Sequence, residues 1–199
     1  MPRVHFVKAA RKDNPAVKKG ESYYHWKFRY GGKHYSRTRP KPSQLTQSDK
    51  LSRIYEAQEM LSEVCFPTEV GDMDRDQLVA MMDTVRSAYE DAAEAFREVS
   101  EEYNESADNK EEYFPGTGDE IREKADACEE AASEADDAAS EWDSAINDIE
   151  AIDIPEPKEE SSEDEEEEEE EDEVDPDEWK SEADDILSNL TTEVIEVNL

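Results

Sequence analysis

LVAMMDTVRSAYEDAAEAFREVSEEY, residues 78–103, places Leu78, Met82, Val85, Tyr89, Ala92, Phe96, Val99 and Tyr103 at alternating steps of four and three. That spacing holds one apolar stripe on a single side of an α-helix, the seam of a coiled coil. A second series, Ile121, Ala125, Cys128, Ala132, Ala135, Ala139, Trp142, Ile146 and Ile149, keeps the same step beyond a loop carrying Pro115-Gly116. Thr117 and Glu120 stand at its start with the spacing of a T-x-x-E capping box. Two such helices joined by a loop of about a dozen residues most simply form an antiparallel hairpin. The Ala-rich middle of the second seam lets the helices approach closely opposite Tyr89 and Phe96. Pairing of the same seams between chains is the competing arrangement.

Upstream of this hairpin the charge reverses. The chain of 199 residues has a net charge of -35, yet residues 1–53 hold 14 Lys and Arg against 3 acids. Residues 54–199 hold the remaining 8 against 54, so the two parts carry +11 and -46. A uniformly acidic, halophile-type surface does not leave so basic a head in place. Within the head, SYYHWKFRYGGKHYSRTR (residues 22–39) is aromatic-rich and alternating, and Gly31-Gly32 predicts a two-residue hairpin turn with positive φ. Pairing Tyr30 with Lys33 puts Tyr24, Trp26, Phe28, Tyr30 and Tyr35 on one face, with His25, Lys27, Arg29 and His34 on the other. Val4 to Lys8 supplies a third strand. After Pro40 and Pro42, the spacing of Leu51, Ile54, Tyr55, Leu61 and Val64 predicts a helix that covers the aromatic face, with Thr46 or Ser48 as its N-cap.

Downstream, residues 154–178 hold 17 acids against one Lys and three prolines, a composition that predicts a disordered polyacidic linker. Trp179, Ala183, Ile186, Leu187 and Leu190 then resume helical spacing, either as a short amphipathic helix docked on the hairpin or as a partner-binding peptide. The fold class is therefore α+β. Four parts follow: a basic β-β-β-α head (1–66), an acidic helical hairpin (74–153), the linker (154–178) and a short C-terminal segment (179–199).

The usual signatures of catalysis are absent: no Walker-type loop, dinucleotide fingerprint, zincin helix or nucleophile elbow occurs in the sequence. We read the chain as no enzyme, with no cofactor and no metal. Cys65 and Cys128 lie singly in apolar helical patterns and are expected as buried free thiols, which places the chain in a reducing, cytoplasmic compartment. No apolar run is long enough for a membrane span. Two kinds of partner remain. Lys8, Arg11, Lys12, Lys18, Lys19, Lys27, Arg29, Lys33, Arg37 and Arg39 are interleaved with aromatic rings, and His25 stands among them, a set suited to phosphates and stacked bases of DNA or RNA. The alternative for this set is a solvated face or a dock for the chain's own acids. On the second helix, Asp119, Glu123, Asp126, Glu130, Glu134, Asp137 and Glu141 form an acidic row suited to a basic protein surface, joined by Trp179, Ile186, Leu187 and Leu190 of the C-terminal segment. Side by side, the two helices would carry one net negative charge per roughly 2.6 Å, against about 1.7 Å for duplex DNA.

The stretch KAARKDNPAVKKGESYYHWKFRYGGKHYS (residues 8–36) resembles the start of small uncharacterised bacteriophage proteins. Its strand-turn-strand-helix order is similar to the arm-type DNA-binding domains of phage integrases. The resemblance covers about the first 65 residues and implies host takeover, DNA handling or virion assembly, in the host cytoplasm. Three expectations result: an adaptor or regulator that contacts nucleic acid through its head and basic proteins through its acidic parts, a DNA mimic acting through the hairpin on a host DNA-binding or defence enzyme, or a virion or scaffold component.

Overall fold

A computed structural model describes residues 1–154, 178–197 and 199; the linker expected at 154–178 therefore lies, but for its two end residues, outside the described residues. The elements are strands β1 (His5–Val7), β2 (Tyr23–Lys27) and β3 (Lys33–Ser36), then helices α1 (Asp49–Glu63), α2 (Arg75–Tyr113), α3 (Asp119–Ala151) and α4 (Glu178–Leu187). A single 3-10 turn at Pro42–Leu45 precedes α1. The chain is thus α+β, with a small antiparallel sheet ordered β1-β2-β3 followed by two long antiparallel helices packed together. It divides into two compact units. One holds Met1–Glu63, Asp91–Ala135 and Val194–Leu199, and the other holds Val64–Glu90 and Asp136–Glu193. The head thus shares a unit with parts of α2 and α3, whereas the sequence predicts a boundary after residue 66.

In the first unit, Ala92, Phe96 and Val99 of α2 and Ala125, Cys128, Ala132 and Ala135 of α3 are buried, as the four-three spacing requires, while Tyr103 and Ile121 at the loop end of the two series are half-buried. The Ser100 hydroxyl donates to the Ala125 carbonyl at 2.9 Å, giving a buried polar atom a partner between the two helices. The interhelical loop is held differently from expectation. Thr117 Oγ1 donates back to the Phe114 carbonyl at 2.6 Å and does not cap α3. The Glu111 carboxylate holds the loop itself, accepting from the backbone N–H of Gly116 at 2.8 Å and of Gly118, the residue before α3, at 3.2 Å. Both bonds come from a carboxylate at the end of α2 and are charge-assisted. These bonds, with Arg122 beside them, hold Glu111 below the usual carboxylate range. Gly116 itself takes φ +78°, the left-handed turn that ends α2.

Helix α1 joins this unit through cations. Ser48 Oγ accepts from the Leu51 N–H at 3.4 Å, in the expected N-cap position. Lys50 Nζ lies 4.4 Å over the Tyr103 ring and donates to the Glu102 carbonyl and the Ser106 hydroxyl, while Arg53 pairs with Glu98 at 3.2 Å and also with Glu102. Ile54, Ala57 and Leu61 are buried beneath them.

In the second unit, Leu78, Met82, Val85 and Tyr89 of α2 are buried, as are Ala139, Trp142, Ile146 and Ile149 of α3. Asp74 and Gln77 form a reciprocal cap at the start of α2, at 2.8 and 3.2 Å. Arg75 Nη1 donates to the carbonyls of Glu150 and Ile152 at 2.8 and 3.0 Å, placing a cation on the negative end of α3. Arg86 bridges to Asp143 at 2.7 Å. Phe66 packs against the rings of Tyr89 and Trp142, at 6.1 and 6.2 Å between centroids.

The C-terminal segment as far as Glu193 is part of this second unit. Trp179, Ala183 and Leu187 are buried, and Asp184 accepts the Val70 N–H at 2.6 Å. Beyond α4 the chain runs extended. Trp142 Nε1 donates to the Thr191 carbonyl at 3.0 Å, and the Tyr89 hydroxyl donates to the Glu193 carbonyl at 2.9 Å. Burial, reinforced by Glu141 and Glu193, pushes the Tyr89 phenol up to about 12. Of the two cysteines only Cys128 is buried, where desolvation pushes its thiol up to about 11; Cys65, expected to be buried, is exposed just past the end of α1. No helix among the described residues is long and apolar enough to cross a membrane.

Candidate nucleic-acid interface

The register of the sheet decides what the head presents. Tyr24 pairs with Ser36, His25 with Tyr35, Trp26 with His34 and Lys27 with Lys33, so residues 28–32 form a five-residue turn. Neither Gly31 nor Gly32 has positive φ, and the expected two-residue turn is not formed. The Gly31 N–H donates instead to the Phe28 carbonyl at 3.3 Å, and a Cβ on Gly31 would sit 3.3 Å from that of Phe28. Starting the turn at Phe28 displaces the pairing by an odd number of residues, which carries every β3 side chain to the opposite face. His34 therefore joins Trp26 in a 5.5 Å stack, and Tyr35 joins His25 at 6.5 Å. The division into an aromatic face and a basic face is thereby corrected: rings occupy both.

The side of the sheet carrying Trp26 holds the one buried strand residue, Trp26 itself, with Phe6 and His34 exposed around it. The opposite side carries a contiguous platform of rings. His5 stacks on His25 at 5.1 Å with 18° between planes, Tyr23 lies 5.8 Å from His25 and 6.0 Å from Tyr35, and Lys33 Nζ sits 5.3 Å over the Tyr35 ring. Burial lowers the affinity of His25 for a proton, and Lys33 and His5 lower it further. The ring is thus a neutral, flat stacking partner near pH 7.

Cations frame this platform. Lys27 and Lys33 are exposed at its edge, with Arg29 exposed in the turn and Arg37 and Arg39 exposed beyond β3. The loop between β1 and β2 displays Lys8, Arg11, Lys12, Lys18 and Lys19, also exposed. It is held in shape by local bonds. Asn14 Oδ1 accepts from the N–H groups of Ala16 and Val17, Asp13 Oδ1 accepts from the Lys19 N–H at 2.7 Å, and Gly20 turns at φ +95° to bond the Ala10 carbonyl. Val17 and Ala10 are buried beneath the loop. Arg37 pairs with Glu21 at 3.5 Å, whereas no ion pair to Lys8, Arg11, Lys12, Lys18, Lys19, Lys27 or Lys33 occurs among the described residues.

All eleven cationic or imidazole positions read from the sequence therefore lie in the head, with His25 half-buried in the platform and the others exposed. His5, Tyr23 and Tyr35 belong to the site as well, although neither charge nor spacing marks them. Only the turn length, which fixes the parity of β3, could have revealed Tyr35. The acidic row is placed as expected on the outer side of α3: Asp119, Glu123, Asp126, Glu130, Glu134, Asp137 and Glu141 are all exposed. Ile186 and Leu190 are half-buried beside that row, lining a groove of about 750 Å³ together with Asp137, Glu141, Ala145 and Asp148. Trp179 and Leu187, read with them as partner-binding, are buried, and their apolar spacing serves the packing of α4.

Neither a family model, nor a curated protein, nor a solved structure matches this chain.

Proposed function

We propose that the chain is a non-enzymatic adaptor whose head binds single-stranded nucleic acid across the platform of His5, Tyr23, His25 and Tyr35. The observation that carries this reading is the contact of rings and unpaired cations on one sheet face. Stacked bases need flat partners, and the phosphates that accompany them need cations within a side chain's reach. A structural face built for the core would not leave Lys27 and Lys33 at its edge. Duplex DNA buries its bases and cannot use such a platform.

The test is fluorescence anisotropy with a labelled single-stranded oligonucleotide and a duplex of equal length. Tyr35→Ala is expected to weaken single-strand binding about tenfold, from the ~1–3 kcal/mol that one stacked base contributes. Lys33→Ala should lower the salt dependence by about 0.7 in slope. Binding that ignores both substitutions would defeat the proposal.

The exposed acidic row of α3 favours a second engagement, with a basic protein surface. The groove beside Ile186 and Leu190 adds an apolar floor to an acidic rim, which fits a basic amphipathic segment. On the adaptor reading this surface recruits a protein to the nucleic acid; on the DNA-mimic reading it occupies a host enzyme's DNA groove by itself. Inhibition of such an enzyme that survives Lys33→Glu but is lost in Asp137→Lys with Glu141→Lys would select the mimic. Inhibition that withstands the α3 reversal would exclude it.

A further inference from the structure

The five-residue turn at 28–32 leaves a groove of about 470 Å³ between itself, the N-terminus and α1. Phe28, Leu45, Leu51 and Tyr55 give it an apolar and aromatic lining, Lys27 and Arg29 stand on one side, and Gln47 adds an exposed amide. The lining holds two cations and no acid, although the chain carries 57 acids against 22 cations. A hollow with flat apolar walls and a positive side is complementary to an aromatic group bearing a negative charge. Its volume exceeds that of a purine ring with its sugar.

From this we infer that the groove receives one unstacked nucleotide, its base between Phe28, Leu51 and Tyr55 and its phosphate against Lys27 and Arg29. The inference rests on the reading of the head as a nucleic-acid binder and adds a subsite to it. Lys27 belongs to both places: it edges the ring platform and lines the groove. A strand lying on the platform therefore has one phosphate within reach of the same cation that would hold the nucleotide entering the groove. Binding there extracts a single base from the stack, which a loop, bulge or strand end offers at lower cost than a continuous helix. Gln47, with both a donor and an acceptor, is placed to read the edge of that base.

Adenosine monophosphate and ribose 5-phosphate, titrated separately into the full chain and followed by NMR, test the subsite. The nucleotide should shift the Gln47 side-chain amide and the Leu51 methyls, binding about tenfold more tightly than the sugar phosphate, the increment expected from burying one base. Leu51→Trp, which fills the groove, should abolish nucleotide binding while the oligonucleotide still binds the platform in a Tyr35-dependent way. Equal binding of the two small ligands, or indifference to Leu51→Trp, overturns the inference and leaves the platform standing. Because a filled groove could also disturb the fold, Arg29→Gln provides a second variant with an exposed side chain, expected to weaken the nucleotide several-fold; no change in that variant also counts against the site. If the nucleotide binds as described and the oligonucleotide does not, the reading of the platform fails and the groove remains.

Discussion

Replacing Tyr89 by Phe isolates one hydroxyl in the docking of the C-terminal segment. Its ring is fully buried against Phe66 and its O–H donates to the Glu193 carbonyl at 2.9 Å, so the substitution keeps the packing and removes the bond. At neutral pH the loss should be about 1–2 kcal/mol, since the carbonyl is left without its donor. The pH dependence provides the sharper test. The phenol ionises near pH 12 in the folded chain, against about 10 when unfolded, so folding holds its proton more tightly. The associated stability, about 2.7 kcal/mol for two pH units, is fully present below pH 10 and is lost as the pH rises through 12. At pH 11.5 about 1.9 kcal/mol of it has gone. The Tyr89→Phe variant has nothing to titrate at this position. Urea unfolding followed by far-UV circular dichroism should therefore show the wild type more stable at pH 7 and its advantage erased or reversed at pH 11.5. Two stability curves that fall in parallel across this range would refute the reasoning.

Thiol labelling at pH 8 should modify Cys65 within the mixing time and spare Cys128, whose thiolate is suppressed by burial, until urea unfolds the chain; prompt labelling of both would show that the α2–α3 seam opens readily. Deleting residues 154–178, which hold 17 acids against one Lys, should raise the affinity of the head for oligonucleotide, most at low salt, because a tethered polyanion competes for the same cations. Anisotropy titrations at two ionic strengths measure this, and equal affinities would exclude competition within the chain.

The long helices were legible because the four-three spacing of their apolar residues is enforced at every turn. Leu78 through Val99 and Ala125 through Ile149 appear in the interior in the order their spacing gives. The sheet was legible in its strands and not in its register. Gly31-Gly32 satisfies the composition of a tight turn, but nothing local distinguishes a two-residue loop from a five-residue one, and the difference moves Tyr35 from one face to the other. The loop after α2 shows a related limit: Thr117 turns back to the Phe114 carbonyl, and a capping motif that records local affinity is blind to a carboxylate arriving from the preceding helix. The fate of the C-terminal segment depended on donors about fifty and a hundred positions away, Trp142 and Tyr89, which spacing alone cannot connect. The groove beside Phe28 was hidden with them, since it exists only once the turn length is set.

The hold of Trp142 and Tyr89 on the last residues falls on main-chain oxygens two apart, Thr191 and Glu193. Such a grip recognises the extended shape of the segment and is indifferent to what Glu193 carries outward. Sequence drift along that ending is therefore cheap at outward-facing positions, whereas neither ring on the helices can be exchanged without loosening it. Among related chains, variability should gather on the strap and constancy on the two hooks beneath it.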